Sequence, residues 1–183
     1  VGGEKLSDKN YLEKVRGEMS LLERIMSYIP GYRGYKEKEL RRESDRLVRM
    51  EAVNKLKSAK MIFRKKLANP SVAQMLSGED AYRFEAFLSR LDRVTQRVNK
   101  AAAGYAGIFD AVKVREDKLS MVIQHDLGLI ERAESIRADV EKVAKMEVGK
   151  EEWKNAMDEL ISKVEELDGF IDQRSEILRG LSV

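Results

Sequence analysis

The sequence predicts an all-α protein, an elongated antiparallel helical bundle of about five helices with coiled-coil-like packing. Three observations carry this. Aliphatic residues recur at intervals of three and four over most of the 183 residues, the spacing that gathers them on one face of a helix. Charged residues make up 37% and hydrophobic ones 43%, the balance of long helices with charged outer faces. The two prolines, Pro30 and Pro70, fall between periodic stretches. There the missing amide hydrogen ends a helix rather than breaking one.

The first helix is expected from an N-cap at Ser7 to about Ile29, with Leu12, Val15, Met19, Leu22, Met26 and Ile29 as its seam. Pro30-Gly31 stops it. The second begins near Tyr35 and runs to about Ala68 on a thinner line: Leu40, Leu47, Val48, Ala52 or Val53, Leu56, Ala59, Ile62 or Phe63, and Leu67. Asn69-Pro70-Ser71 breaks that helix, and Val72–Leu76 reads as one helical turn. Ser77 or Gly78, followed by Glu79 and Asp80, opens the third helix, because acids favour a helix N-terminus. Phe84, Phe87 or Leu88, Leu91, Val94 and Val98 carry it to about Ala103.

A second glycine- and aromatic-containing stretch, Gly104 to Val114, is expected to be an irregular connector. The fourth helix is predicted from about Glu116 to Met146 and the fifth from Lys150 to about Leu178, parted by Val148-Gly149. Trp153, Met157, Leu160, Val164, Leu167, Ile171 and Leu178 form the last seam, with Arg174 its one polar break. No fixed-length repeat is present, and the whole chain, 1–183, reads as one domain.

Charge is unevenly placed. Residues 33–66 carry thirteen bases against five acids, and residues 116–183 carry ten bases against seventeen acids. A basic second quarter and an acidic final third either neutralise each other inside the bundle or present opposite patches to partners.

Two stretches carry a resemblance. One is Ile29-Pro30-Gly31-Tyr32-Arg33-Gly34-Tyr35-Lys36-Glu37-Lys38-Glu39 with the arginine-rich run Arg41 to Arg49; the other is Gly104 to Val114, with Asp126-Leu127 downstream. Together they resemble an uncharacterised family of wholly helical prokaryotic proteins with PGYRGYK-type and FDAVKV-type loops. The resemblance spans most of the chain and implies an all-α fold. It brings no activity with it.

Catalytic chemistry is thinly supplied. The chain has no cysteine and one histidine, His125, so thiol nucleophiles, disulfides and thiolate metal sites are excluded. A histidine-assisted nucleophile would depend on that single imidazole, which reads as a partly exposed polar residue of the fourth helix. A di-metal carboxylate bundle needs Glu-x-x-His on two helices, and position 122 is valine. The carboxylates Glu134, Asp139, Glu165, Glu166, Asp168 and Asp172 read as a solvated face. The glycine pairs Gly31/Gly34 and Gly104/Gly107 lack phosphate-loop spacing. No enzyme activity, metal, cofactor or small-molecule substrate is therefore expected.

The expectation is a non-enzymatic interaction or scaffold protein that binds another protein or itself. Its expected partner-binding residues are Tyr32, Arg33, Tyr35, Lys36, Arg41, Arg42, Arg46 and Arg49, since tyrosine and arginine are enriched in interaction hot spots. The alternative is an RNA- or ribosome-associated protein, its cations on phosphates and its tyrosines stacked on bases. Tyr105, Ile108 and Phe109 are expected to join the tyrosines at one end of the bundle. Membrane contact is not expected, because the basic helix lacks a broad bulky apolar face. No apolar run is long enough to span a bilayer, and the N-terminus has no signal-peptide core, which points to the cytoplasm.

Overall fold

The computed structural model describes the backbone at residues 16–17, 20–29, 37–103 and 116–179, and all regular structure there is helical. Side chains are described for these residues apart from 37–45, 101–103, 116–120, 175 and 178–179. Helix α1 covers 20–27, α2 Glu37–Leu67, α3 Pro70–Met75, α4 Gly78–Ala103, α5 Glu116–Val143 and α6 Glu151–Arg179. The expected boundaries hold within a few residues. The expected N-cap at Ser7 and the two glycine-aromatic stretches lie outside the described residues.

Local chemistry explains the breaks. Asn69 caps α3 by accepting from the Ser71 amide at 3.0 Å, with proline in the first helical turn. Ser77 caps α4: its Oγ accepts from the Asp80 amide at 3.1 Å and donates to Asp80 Oδ2 at 2.7 Å. This is the reciprocal logic of a capping box, with the acid answering through the hydroxyl. Between α5 and α6 the chain turns through Gly149 at φ +85°, a left-handed conformation that a side chain disfavours.

The long helices pack as the four corners of a bundle, α2 beside α4 and α5, and α6 beside the same two. Consecutive long helices alternate in direction, as expected. On α2 and α4, Lys60 meets Asp92 and Phe63 meets Phe87, so numbers rise on one as they fall on the other. Asp139 with Lys163 and Asp126 with Arg174 set α5 antiparallel to α6. Two neighbouring pairs run parallel instead. Arg83, Arg90 and Arg97 of α4 reach Asp158, Glu165 and Asp172 of α6, always 75 positions apart. Lys55 and Lys66 of α2 reach Glu134 and Met146 near α5. Helices α2 and α6 thus occupy opposite corners, as do α4 and α5.

The predicted seams are the core. Leu47, Val48, Ala52, Val53, Leu56, Ala59 and Phe63 from α2 meet Phe84, Phe87, Leu91, Val94 and Val98 from α4. Ile130, Ala133, Ile136 and Val140 from α5 and Trp153, Met157, Leu160, Val164 and Leu167 from α6 complete one contiguous cluster. Leu22, Ile25, Met26 and Ile29 join it from the first helical segment. Leu47 and Val48 are both buried as expected, and the α2 line is broader than its sequence suggests at 52/53, where both alternatives are buried. Phe63 packs edge-on against Phe84 and Phe87, with Trp153 5.1 Å from Phe84, the tilted geometries aromatic rings favour.

Candidate interaction surface

Two polar features stand out: a buried cluster toward the α2 N-terminal end of the bundle, and an open basic corner on α2. Sequence reasoning placed His125 partly in solvent. The structure corrects this. The imidazole is 6% exposed, lies flat on the Phe170 ring with centroids 4.1 Å apart, and donates from Nε2 to the Phe170 carbonyl at 2.9 Å. Burial, followed by the nearby Arg174, Arg49 and Arg132 charges, outweighs that hydrogen bond and holds its pKa below the usual histidine value. The ring is therefore neutral at pH 7.

Sequence reasoning missed this because a polar residue was read as surface, although His125 follows the buried Val122 by three positions and lies on the side that α6 covers. Gly128 makes the close approach possible. A Cβ there would lie 2.8 Å from Phe170 Cζ. Arg132 stacks over Phe170, its guanidinium 3.9 Å from the ring centroid. The polar break at Arg174 has the same kind of answer: its guanidinium donates to Asp126 in a buried ion pair between α6 and α5. Next to this cluster runs a groove of ≈ 450 Å³ lined by Leu21, Arg24, His125, Gly128, Arg132 and Phe170 among others, with Arg24 and Glu131 paired on its rim at 2.6 Å. The Nε2 donor is engaged by the Phe170 carbonyl and one ring face is covered by the Phe170 ring, so the imidazole ties α5 to α6.

Five of the six carboxylates singled out in the sequence are held by cations, Glu166 being the exception among the described residues. Glu134 takes hydrogen bonds from Arg137 and is approached by Lys55, which keeps its pKa at about 2. Asp139 is held low by Lys163 and Lys142 in spite of its partial burial. Glu165 pairs with Arg90, and Asp168 and Asp172 share Arg97. Among the described residues no group of three or more His, Asp or Glu side chains is placed to hold a metal ion.

The predicted partner-binding residues divide three ways. Tyr32, Arg33, Tyr35 and Lys36 lie outside the described residues, and Arg41 and Arg42 lie on α2 without described side chains. Arg46 is exposed, with Nη1 3.5 Å from Met50 Sδ. Arg49 is a correction: at 2% exposure it belongs to the interior, where its charge acts on His125.

The acidic final third is answered by its own cations, Arg137, Lys142, Lys163 and Arg174 among them, and by α4 through Arg83, Arg90, Arg93 and Arg97. From α2, Lys55 pairs with Glu134 and Lys60 with Asp92. That leaves Lys57, Arg64 and Lys65 exposed, with no ion pair among the described residues. With Arg46, Met50, Asn54 and Met61 they fall within an arc of about 100° on the outer corner of α2. Met50 and Met61 are 49% and 69% exposed, large apolar side chains held in water between cations. The signal was in the sequence as Met50, Lys57, Met61 and Arg64, at spacings of seven, four and three. It was hidden because the same helix carries cations on its other faces.

These features define the class as an all-helical bundle with a buried polar lock and an open basic corner. No protein-family model, curated protein or solved structure matches the chain.

Proposed function

We propose that the protein is a non-enzymatic helical interaction module that works in the cytoplasm and binds its partner through the outer corner of α2. The observation that carries this reading is the stripe of Met50, Lys57, Met61, Arg64 and Lys65, in which exposed methionines alternate with cations that no acid among the described residues engages. Methionine adapts its shape to an apolar partner surface, and flanking charges select the partner and its register. The reading does not depend on Arg49, whose place is internal.

RNA is the second reading, favoured by the same cations. The methionines between them favour a protein surface, because phosphate contact gains nothing from an exposed thioether. A photo-crosslinking amino acid at position 61 tests the assignment, compared with the same probe at Gln96 on α4, which is exposed on another face. Crosslinks specific to position 61 support the reading. Equal yields from both positions overturn it.

A further inference from the structure

We infer that the partner of the α2 corner is a second copy of this chain, docked through the outer corner of α6. The inference rests on the proposed role of α2 and adds the occupant. Helix α6 lies diagonally across the bundle from α2, and its outer face carries Glu152, Glu159 and Glu166 at seven-residue intervals. All three are exposed and without an ion pair among the described residues. Three residues after each stands a small or polar exposed residue, Asn155, Ser162 and Gly169. A Cβ at Gly169 would meet nothing within 4 Å, and Asn155, Glu159, Ser162 and Glu166 line a shallow depression along this face.

The two corners match in an antiparallel register. When Lys57 is set opposite Glu166, Met61 falls opposite Ser162 and Arg64 opposite Glu159. Continuing outward, Asn54 faces Gly169 and Met50 faces Gln173. Lys57 and Arg64 each meet an acid, and the protruding Met61 meets a small residue, the knob-and-hole relation that lets two helices approach closely. Sliding either helix by three or four residues puts Met61 against an acid and removes both charge pairs.

The register also agrees with the geometry of the single molecule. Lys55 of α2 is level with Glu134 of α5, and α5 runs antiparallel to α6 with Asp139 at Lys163. Position 57 of α2 therefore stands at about the height of position 166 of α6 in the same bundle. Because α2 and α6 already point in opposite directions, the antiparallel contact joins two copies in the same orientation at the same height. The contact is heterologous: each copy uses its basic corner on one neighbour and its acidic corner on the other, so copies add in a row rather than closing as a two-fold dimer.

The test is a charge swap followed by sedimentation velocity and light scattering over a wide concentration range in low and high salt. Wild type is expected to form concentration-dependent oligomers in low salt that dissociate as salt screens the pairs. Lys57→Glu/Arg64→Glu and, separately, Glu159→Lys/Glu166→Lys are each expected to weaken association roughly tenfold or more, because like charges then face each other. Mixing the two variants restores association, and so does combining all four substitutions in one chain. Far-UV circular dichroism of each variant shows that it remains folded.

A wild type that is monomeric throughout, or a four-site variant that stays monomeric while wild type associates, overturns the inference. Fluorescent single-stranded and duplex RNA form the second arm. If wild type stays monomeric and binds RNA, and only the Lys57/Arg64 reversal abolishes that binding, self-docking is overturned while the α2 corner remains a binding face. If neither a second copy, nor RNA, nor a crosslinked protein occupies the corner, the proposed function falls as well.

Discussion

At the scale of single residues, the buried imidazole sets a pH signature. His125 binds a proton less readily folded than unfolded, because burial and three nearby arginines disfavour the imidazolium. Its contribution to stability is full above the unfolded pKa of about 6.5 and is lost as pH falls below that value toward the folded pKa. Glu134, held at about 2 by Arg137 and Lys55, adds a second loss only below about 4.5, since its unfolded counterpart protonates there. The first decline seen on acidification from neutrality therefore belongs to His125. Urea denaturation at intervals from about pH 7.5 to 5, spanning the histidine range, should show that slope in wild type and a flatter one in His125→Gln, whose amide can still donate to the Phe170 carbonyl. Equal slopes would place the titrating group elsewhere. Gly128 supplies a second prediction at this scale. Alanine in a helix interior ordinarily gains about 1 kcal/mol over glycine, and Gly169→Ala, with open space around the new methyl, should gain roughly that. Gly128→Ala should instead lose about 1 kcal/mol, because its Cβ would press on a Phe170 ring already held by His125 and Arg132. Truncating the ring in Gly128→Ala/Phe170→Leu should remove the penalty specific to the added methyl.

Between elements, charge assigns neighbours. Helices α4 and α6 are parallel and in register because Arg83, Arg90 and Arg97 recur at the spacing of Asp158, Glu165 and Asp172. Exposed pairs of this kind contribute roughly 0.2–1 kcal/mol each, too little to fold the bundle. Their common spacing serves to hold α6 in one register against α4. Arg97 bridges Asp168 and Asp172, so it is the pair to test. Arg97→Met should cost under about 1 kcal/mol and Arg97→Glu about 1–2 kcal/mol, and the gap between them should narrow in high salt; a gap that salt leaves unchanged would point to packing rather than charge. The seams were legible before any coordinates because each aliphatic row obeys a local periodicity. The partners of the charges were not, since Arg174 and Asp126 lie 48 positions apart and nothing local joins them. Arg49 could be counted as a surface cation because it stands in a run of cations, although helical spacing puts it in line with Ala52, Val53 and Leu56, and only the packed bundle shows that it is covered. Most of the expected binding residues, Tyr32 through Arg42, have no described side chains. The open stripe further along α2 came from exposure, which a sequence records only after the neighbouring helices are known.

For the molecule as a whole, the question is whether its two ends fold as one. Trp153, Phe84 and Phe63 lie at one end, and the Asp126–Arg174 pair lies about 30 Å away along α6 at 1.5 Å per residue. The buried residues between them form one uninterrupted cluster contributed by all four corner helices. A core without a gap has no plane along which half the bundle can open while the rest stays dry, and that continuity is the physical basis of two-state unfolding. Trp153 is the only tryptophan in the chain and 1% exposed, so its fluorescence reports on one end alone, whereas far-UV circular dichroism reports on every helix. The two transitions in urea should coincide for wild type. Arg174→Leu takes the cation from Asp126 inside the opposite end, a change that costs about 3 kcal/mol or more when a buried partner is left behind. In a single cooperative bundle the Trp153 transition must move by the full amount, although no atom near the tryptophan has changed. If the circular dichroism midpoint falls while Trp153 unfolds where it did before, the ends are separate cooperative units and the continuous core does not couple them.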